Sequence, residues 1–232
     1  MSALHLVRIP VHAPRLLRFA HEHGITQEDE TLGYTLHAWL TALFGEQAPK
    51  PFRYFERRGE VLGYARTPAG ALLEHARSFA APLAWQALDA AGVASKPMPT
   101  TWREAQRLHV EVLTCPTSRK EDDEKDVYLR ALHRLGDGAP PRAEVYRQWF
   151  IAQWGDCLQF DSLELLGMQS CARLLRRDRH SGNRLRGVER PQALFGGNAV
   201  IRDGERFAAL LARGIGRHRA FGFGMVLLSP PR

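Results

Sequence analysis

The alternation of apolar and polar residues changes period several times along the chain. Leu4–Val11 (LHLVRIPV) alternates at its centre and stops near Pro10, which predicts a strand. Residues 12–30 are polar and aperiodic and read as an irregular connection. From Leu32 the period becomes helical. Leu32, Leu36, Trp39, Leu40, Leu43 and Phe44 recur every three or four residues, Asp29 or Thr31 is placed to cap that helix, and Gly45 ends it. Phe52–Glu56 and Val61–Arg66 are short strands about Arg58-Gly59, a hairpin pattern. Helical spacing returns over Ala69–Phe79 behind Pro68, and again near Trp85–Ala91, before a loop at 92–101. Arg107–Leu113 (RLHVEVL) alternates and predicts a strand, closed by Cys115-Pro116.

Next comes a charge run, SRKEDDEKD over Ser118–Asp126. It predicts the solvated first turn of a helix, Asp122–Leu135, with acids near the positive N-terminal end. Pro140-Pro141 opens a second helix, Arg142–Trp154, whose buried face holds Val145, Trp149, Phe150 and Trp154. Strand-like segments follow from Cys157 (CLQFDSLELL, then MQSCARLLRR), and a polar tip, Asp178–Arg184, separates them from Leu185–Val188. Ala193–Ile201 is another strand. Asp203 caps a helix over Glu205–Arg213, Gly214 stands where a C′ glycine belongs, and Phe221–Leu228 is the last strand. The first half thus reads β-α-β-β-α-β, the ferredoxin-like plan, and the second half reads as a degenerate version with a helical insertion.

Charge adds a location. The 232 residues include 28 Arg and 4 Lys against 25 acids, for a formal net charge of +7. Residues 1–172 sum to −2, whereas residues 173–219, with 12 Arg and 4 acids, sum to +8, and Arg232 adds the last positive charge. An Arg-rich composition explains the ratio of Arg to Lys but not the clustering, so one localised surface for a polyanion is expected. Arg173–Arg190 alone holds seven Arg and two acids. As a hairpin with its tip at His180–Asn183, it would project Arg173, Arg176, Arg177, Arg179, Arg184 and Arg186 along two edges, toward phosphates or guanine edges. The plain alternative is a solvated basic face. Arg53, Arg57 and Arg58 on the first hairpin are weaker candidates.

Cys115, Cys157 and Cys171 have no paired spacing, and the ten histidines show no metal-ligand spacing, so neither a disulfide framework nor a metal nor any other cofactor is expected. No apolar run approaches the ~18 residues of a membrane span, and the charged N-terminus lacks a signal peptide's apolar stretch. A cytoplasmic protein without a membrane partner is expected. The aromatic residues are mostly at core spacing and suggest no base-stacking platform.

The most specific local string is Gly214-Ile-Gly216-Arg217-His218-Arg219-Ala-Phe-Gly222-Phe-Gly224. Glycines let backbone N–H groups approach a phosphate, and the cations among them add attraction. The string follows a helix and precedes a strand, the reverse of a Rossmann or P-loop order, which argues against a mononucleotide or dinucleotide site. It also resembles the RNP1 strand of an RNA-recognition motif, but too little chain follows it for that fold. The structural alternative is a tight helix-to-strand turn.

The run Leu210–Pro230 (LLARGIGRHRAFGFGMVLLSP) resembles the glycine-rich ending of CRISPR-associated repeat-processing endoribonucleases, most of all their CasE branch. Phe195–Gly204 is similar to the strand and helix cap that precede that ending, and Tyr34-x-x-His37 with Phe44 is similar to the helix that carries the branch's catalytic histidine. The segment 12–30 and the insertion at 118–154 depart from the pattern and leave the subtype open, a type I-E system or a variant such as type IV. The resemblance implies an α+β fold of two tandem ferredoxin-like (βαββαβ) domains. These would be an N-terminal domain over 1–116 and a C-terminal domain over 117–232, the second with the helical insertion at 118–154 and the basic β-hairpin. It implies cleavage of CRISPR repeat transcripts at the base of a repeat stem-loop, with the guide RNA retained in a multi-protein interference complex. A non-catalytic RNA-binding subunit of such a complex is the alternative.

Metal-free RNA cleavage uses the substrate's own 2′-hydroxyl as nucleophile. It needs a group titrating near neutrality and cations for the charged phosphorane, and it leaves a 2′,3′-cyclic phosphate and a 5′-hydroxyl. His37, beside the apolar stripe of its helix, is the preferred acid or base. Tyr34, one turn earlier on the same face, would position the 2′-hydroxyl or the phosphate. From the residues alone, His37 reads equally as a half-buried helix histidine. His180 and His218, set among arginines, are rivals that read rather as phosphate contacts. The RNA-binding set expected alongside the hairpin arginines is Gly214, Gly216, Arg217, His218, Arg219, Gly222 and Gly224.

Overall fold

The computed structural model describes residues 3–25, 29–121, 123–178 and 184–232, with backbone alone at 170–171, 176–178 and 184. The first sheet is antiparallel and ordered β2-β3-β1-β4, from β1 (His5–Pro10), β2 (Phe52–Phe55), β3 (Glu60–Ala65) and β4 (Ala94–Pro97). This is the ferredoxin-like order. Val7 and Ile9 of β1 and Val61 of β3 face a core closed by Leu16 and Phe19 of α1 (Ala13–Glu22), by Leu36, Trp39, Leu40 and Leu43 of α2 (Gly33–Phe44), and by Leu72 and Ala76 of α3 (Ala69–Phe79). The Trp39 indole donates to Ala84 O at 2.9 Å, which ties α2 to α4 (Pro82–Gln86).

Two expectations for this half are corrected. Residues 12–30 contain α1, begun by Pro14 in its first turn. Its buried face is only Leu16, Phe19 and Ala20, set among Arg and His, which hides the helical period. Arg107–Leu113 is a strand, β5 (Arg107–Thr114), but it pairs with the second sheet. The fourth strand of the first sheet is β4, inside the stretch read as a loop. Its residues are mostly exposed, so no apolar alternation marks it. The first sheet therefore ends at Pro97 rather than at 116.

The second sheet runs β11-β5-β10-β8, with β9 also paired to β10; the strands are β8 (Leu158–Phe160), β9 (Glu164–Asp178), β10 (Arg184–Ile201) and β11 (Val226–Ser229). With β8 and β9 sharing the second-strand position, the order repeats that of the first sheet, so the fold is two tandem ferredoxin-like units. Leu108, Val110, Val112, Phe195, Ala199 and Ile201 pack against Tyr146, Phe150 and Trp154 from α6 (Arg142–Ala152) and its end, and against Phe207, Leu210 and Leu211 of α7 (Gly204–Arg213). The helix expected as part of an insertion is thus the first crossover helix of the second unit.

The true excursion is the hairpin of β6 (Thr117–Lys120) and β7 (Asp123–Asp126) followed by α5 (Val127–Leu135). The charge run is therefore strand, not helix. Asp126 accepts from Tyr128 N at 2.8 Å and is the N-cap of α5, so the helix begins at Val127. Asp122 lies outside the described residues. The segments expected at Leu185–Val188 and Ala193–Ile201 are one strand, shifted in register between Arg190 and Gln192 where Pro191 cannot donate to the ladder.

The two sheets touch through β3. Tyr64 is buried in the second core and its hydroxyl donates to Val226 O at 2.8 Å, while Arg53 of β2 meets Glu111 of β5 at 2.7 Å. No helix among the described residues is long and apolar enough to cross a membrane.

Candidate active site

The site begins at the N-terminus of α2. Asp29, 4% exposed, accepts from Thr35 N at 2.7 Å and Tyr34 N at 3.3 Å, and the Thr31 hydroxyl accepts from Gly33 N at 3.3 Å. Both expected caps thus satisfy orphan helix donors. One turn apart on this helix, Tyr34 is buried and His37 half-buried, their ring centroids 6.4 Å apart.

The glycine loop folds back onto this turn from the far end of α7. Gly214, Gly216, Gly222 and Gly224 all have positive φ. Gly224 closes the turn itself. Ile215 N donates to Gly224 O at 2.9 Å, and a Cβ on Gly224 would lie 2.1 Å from Ile215 O. Gly224 N donates to Leu113 O at 2.8 Å, which fixes the loop to β5. The short 3-10 turn Arg219–Phe221 then lies on α2, so closely that a Cβ on Gly33 would stand 2.7 Å from Phe221 O. The Phe221 ring is 5.5 Å from His37 and stacks on Tyr34 at 6.3 Å. Chain ends separated by most of the sequence therefore meet at the Tyr34–His37 pair.

His37 also lines a cavity of about 130 Å³ with Thr41, Glu46, Lys50, Phe52 and Ala220. Burial lowers the His37 pKa, and the charge of Lys50 lowers it further, so its imidazole is held neutral at neutral pH. Sequence reasoning missed Lys50 and Phe221. Lys50 belongs to no motif and reaches the site only because the chain turns back after α2. Phe221 reads as a core aromatic until the glycine loop is seen to place its ring beside the histidine.

The basic hairpin rises from the same place. Leu175 of β9 and Leu185 of β10 pack with Tyr34 and Phe221, and Arg173 N donates to Glu30 Oε2 at 2.9 Å. The register sets Arg186 opposite Arg176 and Leu185 opposite Arg177. Arg179 and His180 lie outside the described residues.

In the glycine loop, burial and the nearby Arg213 and Arg217 lower the Arg219 pKa. Arg217 is tied to Glu124 at 2.9 Å, and His218, expected as a phosphate contact, has a side chain 5% exposed that lies against the same carboxylate at 2.7 Å. Arg53 is committed to Glu111, and the exposed Arg58 reaches Glu60 at 3.5 Å. Among the described residues, no three His, Cys, Asp or Glu side chains converge as a metal site requires.

Two ferredoxin-like units in tandem, with an arginine ribbon and a glycine loop converging on a helix histidine, define a double ferredoxin-like protein with a basic site. The profile of a family described as CRISPR associated protein matches residues 4–230, and the chain belongs to that family. Among solved structures it is similar to Cse3 of Thermus thermophilus bound to an RNA representing a pre-cleavage complex, at 16% identity and a TM-score of 0.64 over 98% of this chain and 100% of that one. It is also similar to Cas6e from Escherichia coli K-12, at 14% identity and a TM-score of 0.58 over 98% and 99% of the two chains. A chain of a pre-nicking CRISPR RNA-guided surveillance complex matches at 18% identity and a TM-score of 0.59, over 98% and 99%. Identities this low establish a shared fold. No curated protein matches the sequence.

Proposed function

We propose that this protein is a metal-independent endoribonuclease that cuts CRISPR repeat transcripts at the base of a repeat stem-loop and retains the processed guide RNA as a subunit of an interference complex. The observation that carries the reading is the meeting of His37, Tyr34 and Lys50 with Phe221 of the glycine loop at the root of the arginine ribbon. Membership of the CRISPR-associated family and the shared fold with Cse3, described as a CRISPR endoribonuclease bound to RNA, support it. The match to a chain of a surveillance complex supports retention in an assembly.

In this reading the ribbon and the loop arginines hold the RNA backbone. His37, neutral because burial and Lys50 lower its pKa, takes the proton of the substrate 2′-hydroxyl. The 2′-oxygen bonds to phosphorus, the bond from phosphorus to the 5′-oxygen breaks, and that oxygen takes a proton from solvent. A 2′,3′-cyclic phosphate and a 5′-hydroxyl remain. Lys50 and Arg219 stabilise the phosphorane charge. Tyr34 is 8% exposed, so it acts by packing the histidine and Phe221 in place and by orienting the nucleotide at its edge.

A labelled repeat hairpin incubated in EDTA with wild type and with His37→Ala tests this. Site-specific cutting by the wild type, lost in the variant while binding persists, is expected. Cutting that requires magnesium, or that survives the substitution, would sink the mechanism. Binding without cutting by the wild type would favour the non-catalytic subunit.

A further inference from the structure

The β6–β7 hairpin leaves the second unit between its first strand and first helix, and two carboxylates on one face of β7 point inward from it. Asp126, at the root, accepts from the Tyr146 hydroxyl at 2.7 Å and pairs with Arg142, which fixes the hairpin to α6. Glu124, two residues earlier and so on the same face, reaches the other way. Its side chain is 5% exposed. Its Oε1 lies 2.9 Å from the Thr117 hydroxyl, 2.9 Å from Arg217 Nε and 2.7 Å from His218 Nε2, and Arg190 Nη2 is 3.6 Å from Oε2. Burial alone would push this carboxyl up. The hydrogen bond and charge of His218, with Thr117 and Arg190, outweigh it and hold the carboxyl well below the usual carboxylate range.

Arg190, Arg217 and His218 come from the two elements that build the candidate site. Arg217 and His218 sit in the glycine loop, and Arg190 sits at the root of the arginine ribbon on β10. His218 adopts a left-handed backbone, φ 59°, and its ring is 6.1 Å from Phe221, whose own ring is 5.5 Å from His37. A contiguous path therefore runs from Glu124 through His218 and Phe221 to His37. Without Glu124, Arg190 and Arg217 would lose the carboxylate they share, and Arg213, Arg217 and Arg219 would still repel one another. RNA phosphate would then be drawn to a loop free to move.

We infer that Glu124 is a positioning residue for the cleavage reaction: it is the built-in counter-anion of Arg190 and Arg217 and the hydrogen-bond partner of His218, and it sets the turn that presents Phe221 and Arg219 to Tyr34 and His37. The effect on cleavage rests on the function proposed above, whereas the clamp itself does not. Glu124 is not placed at the reacting atoms.

The test is Glu124→Gln, which keeps size and a hydrogen-bond acceptor for Thr117 but removes the charge. Three quantities are read: amide hydrogen exchange of the free protein, single-turnover cleavage of a labelled repeat hairpin, and the dissociation constant for that RNA. The loop amides of Ile215, Phe221 and Gly224 should lose protection while those of β5 keep it. Cleavage should slow by roughly 10- to 100-fold, the range that a small displacement of catalytic groups commands. The dissociation constant should stay within about threefold, because Arg217 is released to phosphate as the loop loosens. Unchanged loop exchange, or equal losses in rate and affinity, would overturn the inference. Should β5 also lose protection, His218→Gln and Arg217→Gln, which cut the same contacts from the loop side, must reproduce the loop-only loss; their failure overturns it too. A wild type that binds but never cuts refutes the proposed function instead, and the exchange measurement still judges the clamp.

Discussion

Replacing Gly33 with Ala sets two effects of known sign against each other. In an exposed helix, Gly→Ala gains about 0.5–1 kcal/mol by removing backbone entropy from the unfolded chain. Gly33 opens α2, but a Cβ there would stand 2.7 Å from Phe221 O, 3.1 Å from Thr31 Oγ1 and 3.2 Å from Leu174 Cδ1. The first neighbour is backbone, held in a turn whose next strand is tied to β5, so it must retreat by about 0.7 Å to reach ordinary contact. Overpacking of this kind costs about 1–3 kcal/mol. The expected net is a loss of about 1–2 kcal/mol, a fall in Tm of roughly 2–8 °C for a chain of this length. Gly70 is the control. It lies in the first turn of α3 with nothing within 4 Å of a Cβ, so Gly70→Ala should raise Tm. The carbonyl that retreats belongs to the residue whose ring abuts His37, so Gly33→Ala should also slow cleavage by about tenfold or more. Thermal melts and single-turnover assays of both variants check this. A Gly33→Ala protein stabilised like Gly70→Ala and cutting at the wild-type rate would refute the close approach of the loop to α2.

The pH profile follows from the environment of His37. Burial first and Lys50 second lower its pKa, so a base at this position is fully active above a limb lying below the ordinary ~6.5 and loses activity as pH falls through it. In kcat/KM, which reports the free enzyme, that limb should lie below 6.5, and Lys50→Ala should move it up but not all the way, since burial remains. A wild-type limb at or above 6.5 would contradict this. Arg176→Ala and Arg177→Ala should each weaken RNA binding across sequences and reduce the slope of log affinity against log salt by up to about one. Unchanged slopes would make the ribbon a solvated face.

The parts of the chain whose partners are near in sequence were legible. The spacing from Leu32 to Phe44 and the caps Asp29 and Thr31 place α2 to within a residue, and Ala69–Phe79 matches α3. Arg58-Gly59 marks its hairpin because Gly59 must adopt φ 58°. What failed was assignment over distance. Alternation in RLHVEVL announces a strand but not its neighbours, and those are β10 and β11 about a hundred residues on. The run SRKEDDEKD reads as solvated because nothing local shows that Glu124 meets Arg217 and His218, or that Asp126 caps a helix and anchors to Tyr146. The same limit governs the site. Tyr34 and His37 share a helix face, but spacing alone leaves His37 a half-buried helix histidine, and it is the family resemblance that singles out the pair; the glycine string stands out by composition. That Phe221 completes the pair, and that Lys50 shares the cavity with His37, follows only from the fold.

In the proposed mechanism the RNA supplies the nucleophile and His37 activates it. The most direct measurement uses two repeat hairpins that differ by a single 2′-deoxy nucleotide on the 5′ side of the cut, each incubated with wild-type protein in EDTA. The all-ribose hairpin should be cut to a 2′,3′-cyclic phosphate and a 5′-hydroxyl, and the 2′-deoxy hairpin should bind with similar affinity and stay intact. Cutting of the 2′-deoxy hairpin at the same bond would contradict the mechanism.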